Sequence, residues 1–407
     1  AKRSFEAFQK VAPWEFAQEK FAPQEFSSTE LSVTAPGPDD ARRAADAYAA
    51  AAAWLDNMAA TETMHDHMSE FFAEQVLLGL SSDLRLTRLA LEAAADQGSS
   101  PDWERLAQLH RRLVWIFSAD LSYFERKQYA SLSQEPNKAM NLNSYISLMG
   151  GRYRIDSSTG EKILERIGRH DDADADADLV IPDSRYLLTL DADSQLLRDY
   201  CVRLVYLLEQ PENERVAVTQ TPYSSFRGAP TRIERIAGAT TDLQHIQHQG
   251  LTYFNATFWV GANAVIRKEA LADIAVSETV GGFEITTYVQ DRTVIEDTES
   301  SIDLGLHGWT LENYPERLSY SATPPDFGSL IVQRRRWANG GLLIMPKFFE
   351  MVRARRGTPA RARSAEKMLR TNYMSSLSWA SFGLLFLLFF PFDSRLLSPR
   401  VRAAALP

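Results

Sequence analysis

The chain has 407 residues, 45% of them hydrophobic, which is enough for one large α/β domain with appendages. Its formal charge of -9 argues against nucleic acid as a partner, because holding phosphates calls for a basic excess on the working surface. The single cysteine, Cys201, rules out an internal disulfide, and no Cys/His pattern has zinc-like spacing. A catalytic part facing a reducing compartment is expected, with Cys201 in the core.

The first residue is Ala, and a piece of a longer protein is expected. Residues 1–29 are aromatic-rich and irregular and read as a packing or docking arm. Glu30 to Ala35 is a short strand candidate closed by Pro36-Gly37-Pro38. Asp39 and Asp40 can then cap an alanine-rich helix over about Ala41 to Met58. His65 and His67, two apart, do not share a helix face, so no metal site is read there. Gln75 to Leu80 is a second strand candidate, followed by a helix over Leu84 to Gln97. Leu113 to Phe117 is a third strand, and a further helix opens near Lys138. Alternation of this kind predicts a mostly parallel mixed sheet flanked by helices. A polar excursion follows, with a hairpin in Gly151 to Asp178 and an acidic run, Asp171 to Asp178, that self-repulsion makes a solvated loop rather than a cation site.

Tyr186 to Leu190 is an apolar, β-prone run expected to be a buried strand, ending abruptly in Asp191-Ala192-Asp193. Alternate residues on a strand share a face, so both carboxylates can address one ligand, and carboxylate oxygens suit a hard divalent cation. By itself the pattern fits a helix cap equally well. Val216 to Gln220 is a further strand. Phe254 to Arg267 is an apolar segment broken by Gly261-Ala262-Asn263, where a ligand can approach the backbone. Glu296-Asp297 sets a carboxylate pair at a strand-to-helix junction. Gln333-Arg334-Arg335-Arg336-Trp337 precedes an amphipathic stretch. Thr371 to Phe392 carries no charge over a length that just spans a hydrocarbon core, and reads as a transmembrane helix, with a buried helix as the alternative. The basic segment before it, Arg353 to Arg370, sets that side in the cytoplasm.

Lys138, the Asp191/Asp193 pair, Glu296-Asp297 and Gln333-x-x-Arg336-Trp337, in that order, resemble the processive inverting family-two glycosyltransferases of the cellulose, hyaluronan and chitin synthase type. The resemblance implies an α/β, GT-A-type nucleotide-sugar-binding domain over 30–340, an interfacial segment over 341–370, a transmembrane helix over 371–392 and a tail over 393–407. It implies a membrane-anchored, metal-dependent enzyme of the inner or plasma membrane, with its catalytic domain cytoplasmic. That enzyme moves sugar from a UDP-sugar to a growing polysaccharide of β-glucan type.

By the same resemblance Asp297 is the general base and Glu296 its support, although Ile295 stands where the family has threonine. Asp193, with Asp191, would hold Mg²⁺ or Mn²⁺. Asp191, Lys138 and Arg336 would contact the nucleotide-sugar, as would Asp83 or its rival Asp120. Trp337, Gln333, Trp259 and Gly261 would meet the acceptor, with Thr219-Gln220-Thr221-Pro222 as a pocket strand. Membrane lipid, further membrane subunits and missing transmembrane segments are expected, and nucleic acid is not. The competing readings are a non-processive transferase acting on a lipid or short acceptor, and an inactive membrane scaffold of the same fold.

Overall fold

The computed structural model describes residues 35–117, 123–158, 160–172, 176–291, 295–354 and 364–389. The chain divides into two units, Ala1–Glu125 and Arg126–Pro407. The expected arm at 1–29, most of the strand candidate at Glu30, Asp120 and the tail at 393–407 lie outside the described residues, and the expected domain over 30–340 runs across the boundary between units.

The described part of the first unit is helical. Helix α1 (Pro38–Thr61) starts three residues before the expected Ala41, with Gly37 rather than an aspartate at its N-cap: Pro38 occupies the first turn, and the Gly37 N–H donates to the Asp40 carboxylate at 2.8 Å. Its alanines recur at helical spacing and bury Ala41, Ala44, Ala45, Tyr48, Ala52 and Leu55. After α2 (His67–Phe71), capped by Asp66, comes a π-helical turn, Phe72–Leu78, which runs straight into α3 (Gly79–Asp96). Helix α4 is Trp103–Phe117.

Two expected strands are therefore helices. Gln75 to Leu80 continues the helical pattern of its neighbours, with Ala73, Leu77 and Leu84 all buried in one core. In Leu113 to Phe117, the buried positions Leu106, Leu109, Leu113 and Phe117 fall on one helical stripe, while Trp115 is 73% exposed.

After a 3-10 turn at Arg126–Gln128, the second unit continues with α5 (Lys138–Leu148), whose N-cap Asn137 accepts from Met140 N at 2.7 Å. Strands β1 (Gly151–Asp156) and β2 (Ile163–Arg169) form the expected hairpin, joined by β3 (Leu179–Ile181). The site is built on a four-stranded sheet. In chain order its strands are β4 (Tyr186–Leu190), β6 (Val216–Gln220), β8 (Asn263–Arg267) and β11 (Thr310–Asn313), arranged β11-β6-β8-β4. A small sheet of β5 (Gln195–Leu196), β7 (Tyr223–Ser225) and β12 (Ser319–Ser321) lies in the order β5-β12-β7. An isolated hairpin pairs β9 (Val276–Val280) with β10 (Phe283–Thr287).

The helices are α6 (Tyr200–Leu208), α7 (Arg232–Tyr253), α8 (Lys268–Asp273), α9 (Glu296–Leu306), α10 (Phe327–Ala354) and α11 (Ser364–Phe389).

The structure corrects three further expectations. The sheet is mixed rather than mostly parallel, since only β11 and β6 run parallel while β8 is antiparallel to both β6 and β4. Strand β4 is an edge strand among the described residues, not a buried one, and Leu188 and Leu190 are 40% and 37% exposed. Cys201 sits on an exposed face of α6 rather than in the core.

No single described helix is long and apolar enough to cross a membrane; α11 passes only as a pair, Ser364–Ser376 and Ser378–Phe389, bent by 70°. Its first half is tied to protein: Met374 is buried, and the Arg370 and Glu366 pair, 3.2 Å apart, is buried with it. Close packing on α10 explains this, because a side chain at Gly341 would collide with the Met374 carbonyl.

Candidate active site

The site gathers where β4 ends. Leu190 pairs with Asn263 across β4 and β8, and the next residue, Asp191, donates its N–H to Ala262 O at 3.0 Å. Gly261 precedes that bond in a left-handed conformation, φ +74°, which a side chain would strain. Its carbonyl accepts from Lys138 Nζ at 3.0 Å, and the same ammonium is paired with the Asp191 carboxylate. On its other side the glycine lies against the Asp297 carboxylate, and a Cβ there would meet Oδ2. Lys138 and Asp297, far apart in sequence, thus meet at one glycine, and Asp191 joins them through Lys138 and the neighbouring Ala262 carbonyl.

Asp297 occupies the first turn of α9. Its Oδ1 accepts from the Thr298 N–H at 2.6 Å and from the Thr298 hydroxyl at 3.2 Å. A helix N-terminus favours an anion. Burial outweighs it, however, and with the adjacent Glu296 charge pushes the Asp297 carboxyl up to about 7, against the lowering pull of the Thr298 bonds and Lys138. A carboxyl poised near neutrality can exchange a proton with a reacting group. Ser301, one turn on, fixes the facing segment by accepting from Trp259 N at 2.9 Å while donating to Asp297 O at 2.8 Å.

Asp297 opens onto a cavity of about 300 Å³ whose wall includes Val260, Ile295, Thr298, Trp337 and Tyr373. Trp337 is half-buried on α10, with the Arg334 guanidinium 4.4 Å from its ring centre. Asp193 is exposed beyond the end of β4, and its Oδ1 accepts from Ser321 Oγ at 3.1 Å.

A family model described as glycosyl transferase family group 2 matches residues 186–406, more than half of the chain. This chain belongs to that family. It is 27% identical over 162 residues to a UDP-forming cellulose synthase of Dictyostelium discoideum, a match covering 40% of this chain and 14% of that protein. Against the UDP-forming cellulose synthase catalytic subunit of Pseudomonas fluorescens it is 28% identical over 175 residues, covering 40% of this chain and 21% of that protein. For the corresponding protein of Komagataeibacter sucrofermentans the figures are 24% over 165 residues, 39% and 20%. The chain spans about a fifth or less of the length of these relatives.

Within this family-2 glycosyltransferase chain, the remaining expected residues fall in several places. Glu296 is half-buried beside Asp297. Gln333 and Trp337 are one helical turn apart on α10, while Arg336 is exposed, and it is Arg334 that covers the tryptophan ring. Trp259 is not at the cavity. It is 2% exposed and packed with Ala264, Ile266 and Leu271 in the core, so it cannot offer a face to an acceptor. Asp83 lies in the first unit within α3, not at the end of a strand. Ile295 takes the N-cap of α9 without a side-chain cap and packs on Gly340, where any Cβ would overlap it.

Sequence reasoning misses a buried polar chain behind the cavity. Gln220 donates to Asn313 Oδ1 at 2.7 Å, and Asn313 donates to Thr257 Oγ1 at 2.6 Å. Thr257 Oγ1 lies 2.9 Å from His248 Nδ1, whose Nε2 is 3.2 Å from the Tyr373 hydroxyl. Burial holds His248 neutral, with its pKa down to about 3. Tyr373 belongs to the stretch read as membrane-spanning, which conceals its place in the cavity wall. Gln220-Thr221-Pro222 is the one sequence signal for this region.

Proposed function

We propose that this chain is the catalytic part of a membrane-anchored, divalent-metal-dependent, inverting glycosyltransferase that moves sugar from a UDP-sugar to a growing polysaccharide of β-glucan type. The observation that carries the reading is Asp297, a half-buried carboxyl raised to about 7 that opens onto the same cavity as Trp337.

In the reaction, an acceptor hydroxyl lying in the cavity attacks the anomeric carbon of the donor sugar, and Asp297 takes the hydroxyl proton. The bond from that carbon to the diphosphate oxygen breaks as the new glycosidic bond forms on the opposite face, so the anomeric configuration inverts. Trp337, stiffened by Arg334, supplies a flat apolar face for the acceptor ring. Lys138 holds Asp191 and the Gly261 carbonyl, keeping the end of β4 in register with Asp297.

Asp193 and Asp191 offer hard carboxylate oxygens at one strand end, a donor set that suits Mg²⁺ or Mn²⁺ with substrate phosphates completing the shell. When bound, such an ion neutralises charge on the departing diphosphate. Membrane attachment is supported by the second half of α11, where Trp379, Phe382, Leu384 and Leu387 are each 59% exposed or more.

The test is UDP release by membranes carrying the protein from a panel of UDP-sugars, with Mg²⁺ or Mn²⁺ and with EDTA. Metal-dependent release from one donor supports the reading. Undiminished release in EDTA removes the metal from it, and no release from any donor while UDP still binds favours an inactive scaffold.

A further inference from the structure

A second cavity in the same unit, of about 1130 Å³, lies on the other side of helix α9. Two of its neighbours are fixed by helix geometry. Glu299 and Asp303 follow Asp297 by two and six positions, which at 3.6 residues per turn sets them about 200° and 240° around the helix from it. Lys347 of α10 bridges both, at 3.0 Å to Glu299 Oε1 and 2.7 Å to Asp303 Oδ2. Asp303 and Lys347 reach the cavity, so one salt-bridged cluster forms part of its floor. The hairpin β9–β10 and the loop before α5 supply the facing walls.

The lining selects among ligand classes. Glu135, Glu161, Glu278 and Asp291 outnumber Lys127 and Lys162, and Lys347 is already committed to Glu299 and Asp303. Nucleotides and other phosphates would meet a net negative field. Among the described residues no three carboxylate or histidine groups gather closely enough to hold a metal ion. The polar lining includes Ser133, Gln134, Thr287 and Gln290, groups that both donate and accept, and it alternates with an apolar panel of Leu132, Met140, Phe283 and Ile285. A ligand matching both is uncharged, hydroxylated along its edges and apolar on its faces. The volume, just above the usual ligand-pocket range of about 300–1,000 Å³, suits several sugar rings rather than one.

We propose that the cavity behind α9 is a second saccharide-binding site that takes a stretch of neutral oligosaccharide, separate from the acceptor cavity at Asp297. Only the choice of probe rests on the proposed β-glucan chemistry; binding itself requires neither donor nor turnover. Such a site would hold polymer beside α9, at a position about 120° around the helix from its base.

Calorimetric titration with cellohexaose, without donor, tests this on the full chain as parent, as Trp337→Ala and as the double change Phe283→Ala with Gln290→Ala. Asp291→Asn, a milder change in the same wall, guards against misfolding of the double variant. The expected result is binding retained in Trp337→Ala, weakened at least tenfold by the double change and measurably by Asp291→Asn. Binding abolished by Trp337→Ala and unmoved by the wall variants would overturn the proposal, as would no binding to the parent, or spermidine binding in place of the oligosaccharide. Failure of the catalytic reading would look different: cellohexaose would bind while no UDP-sugar was turned over.

Discussion

Replacing Asp297 by asparagine should both stabilise the protein at neutral pH and stop it working. The sign follows from linkage. In the native state burial, and then the Glu296 charge, raise this carboxyl from 3.8 to about 7, whereas the unfolded chain ionises it near its ordinary value. Between these values the native state holds a proton that the unfolded state has released, so stability falls as pH rises through the window and levels off above about pH 7. At about 1.36 kcal/mol per tenfold in proton affinity, the full cost approaches about 4 kcal/mol. The neutral amide avoids this cost and keeps an acceptor for the Thr298 N–H, so we expect a gain of about 1–4 kcal/mol near pH 8 and close to none near pH 4. Urea unfolding of parent and variant at several pH values reads the difference directly. Transfer should fall by about 10² to 10⁴-fold, with UDP affinity preserved. A stability difference that does not change with pH would refute the reasoning, as would near-normal turnover.

Four other outcomes are expected. Gly261→Ala introduces a side chain at φ +74° against the Asp297 carboxylate, so it should cost about 1–3 kcal/mol in thermal unfolding and lose transfer even where the protein still folds. Lys138→Met removes a positive charge that holds the Asp297 pKa down, so the rising limb of the rate–pH profile, in which deprotonated Asp297 is the active form, should move to higher pH. Trp337→Ala should weaken acceptor use in initial-rate measurements more than UDP binding, because the ring walls the cavity that Asp297 opens onto. Acidification should act through His248: held neutral in the fold down to about 3, it contributes stability that is lost as pH falls below about 6.5, and His248→Gln should flatten that part of the stability profile.

The site is more legible in the sequence than the fold around it. Lys138, Asp191 and Asp297 each sit in short local patterns, and one strand pairing, Leu190 with Asn263, sets Asp191 beside the Gly261-Ala262 segment that Lys138 and Asp297 also meet. The upstream segments mislead because an apolar run is ambiguous over five or six residues. Gln75 to Leu80 and Leu113 to Phe117 are β-prone in composition, yet the buried positions continue a spacing of three and four into flanking helix. Trp259 fits an acceptor motif, but its ring turns into the sheet core while its backbone is what the site uses. Tyr373 is hidden for the converse reason: an uncharged stretch reads as lipid-facing, whereas the glycine-mediated contact of α11 with α10 and the bond of Tyr373 with His248 show that its first half packs on protein.

The central claim is that Asp297 and Trp337 serve one inverting transfer to a polymer. Its most direct test is the size and anomeric configuration of radiolabelled product made from the active UDP-sugar by membranes containing the full chain. High-molecular-weight, β-linked material that disappears with Asp297→Asn is the predicted result. An α-linked product, or label confined to a single sugar on lipid, would contradict it.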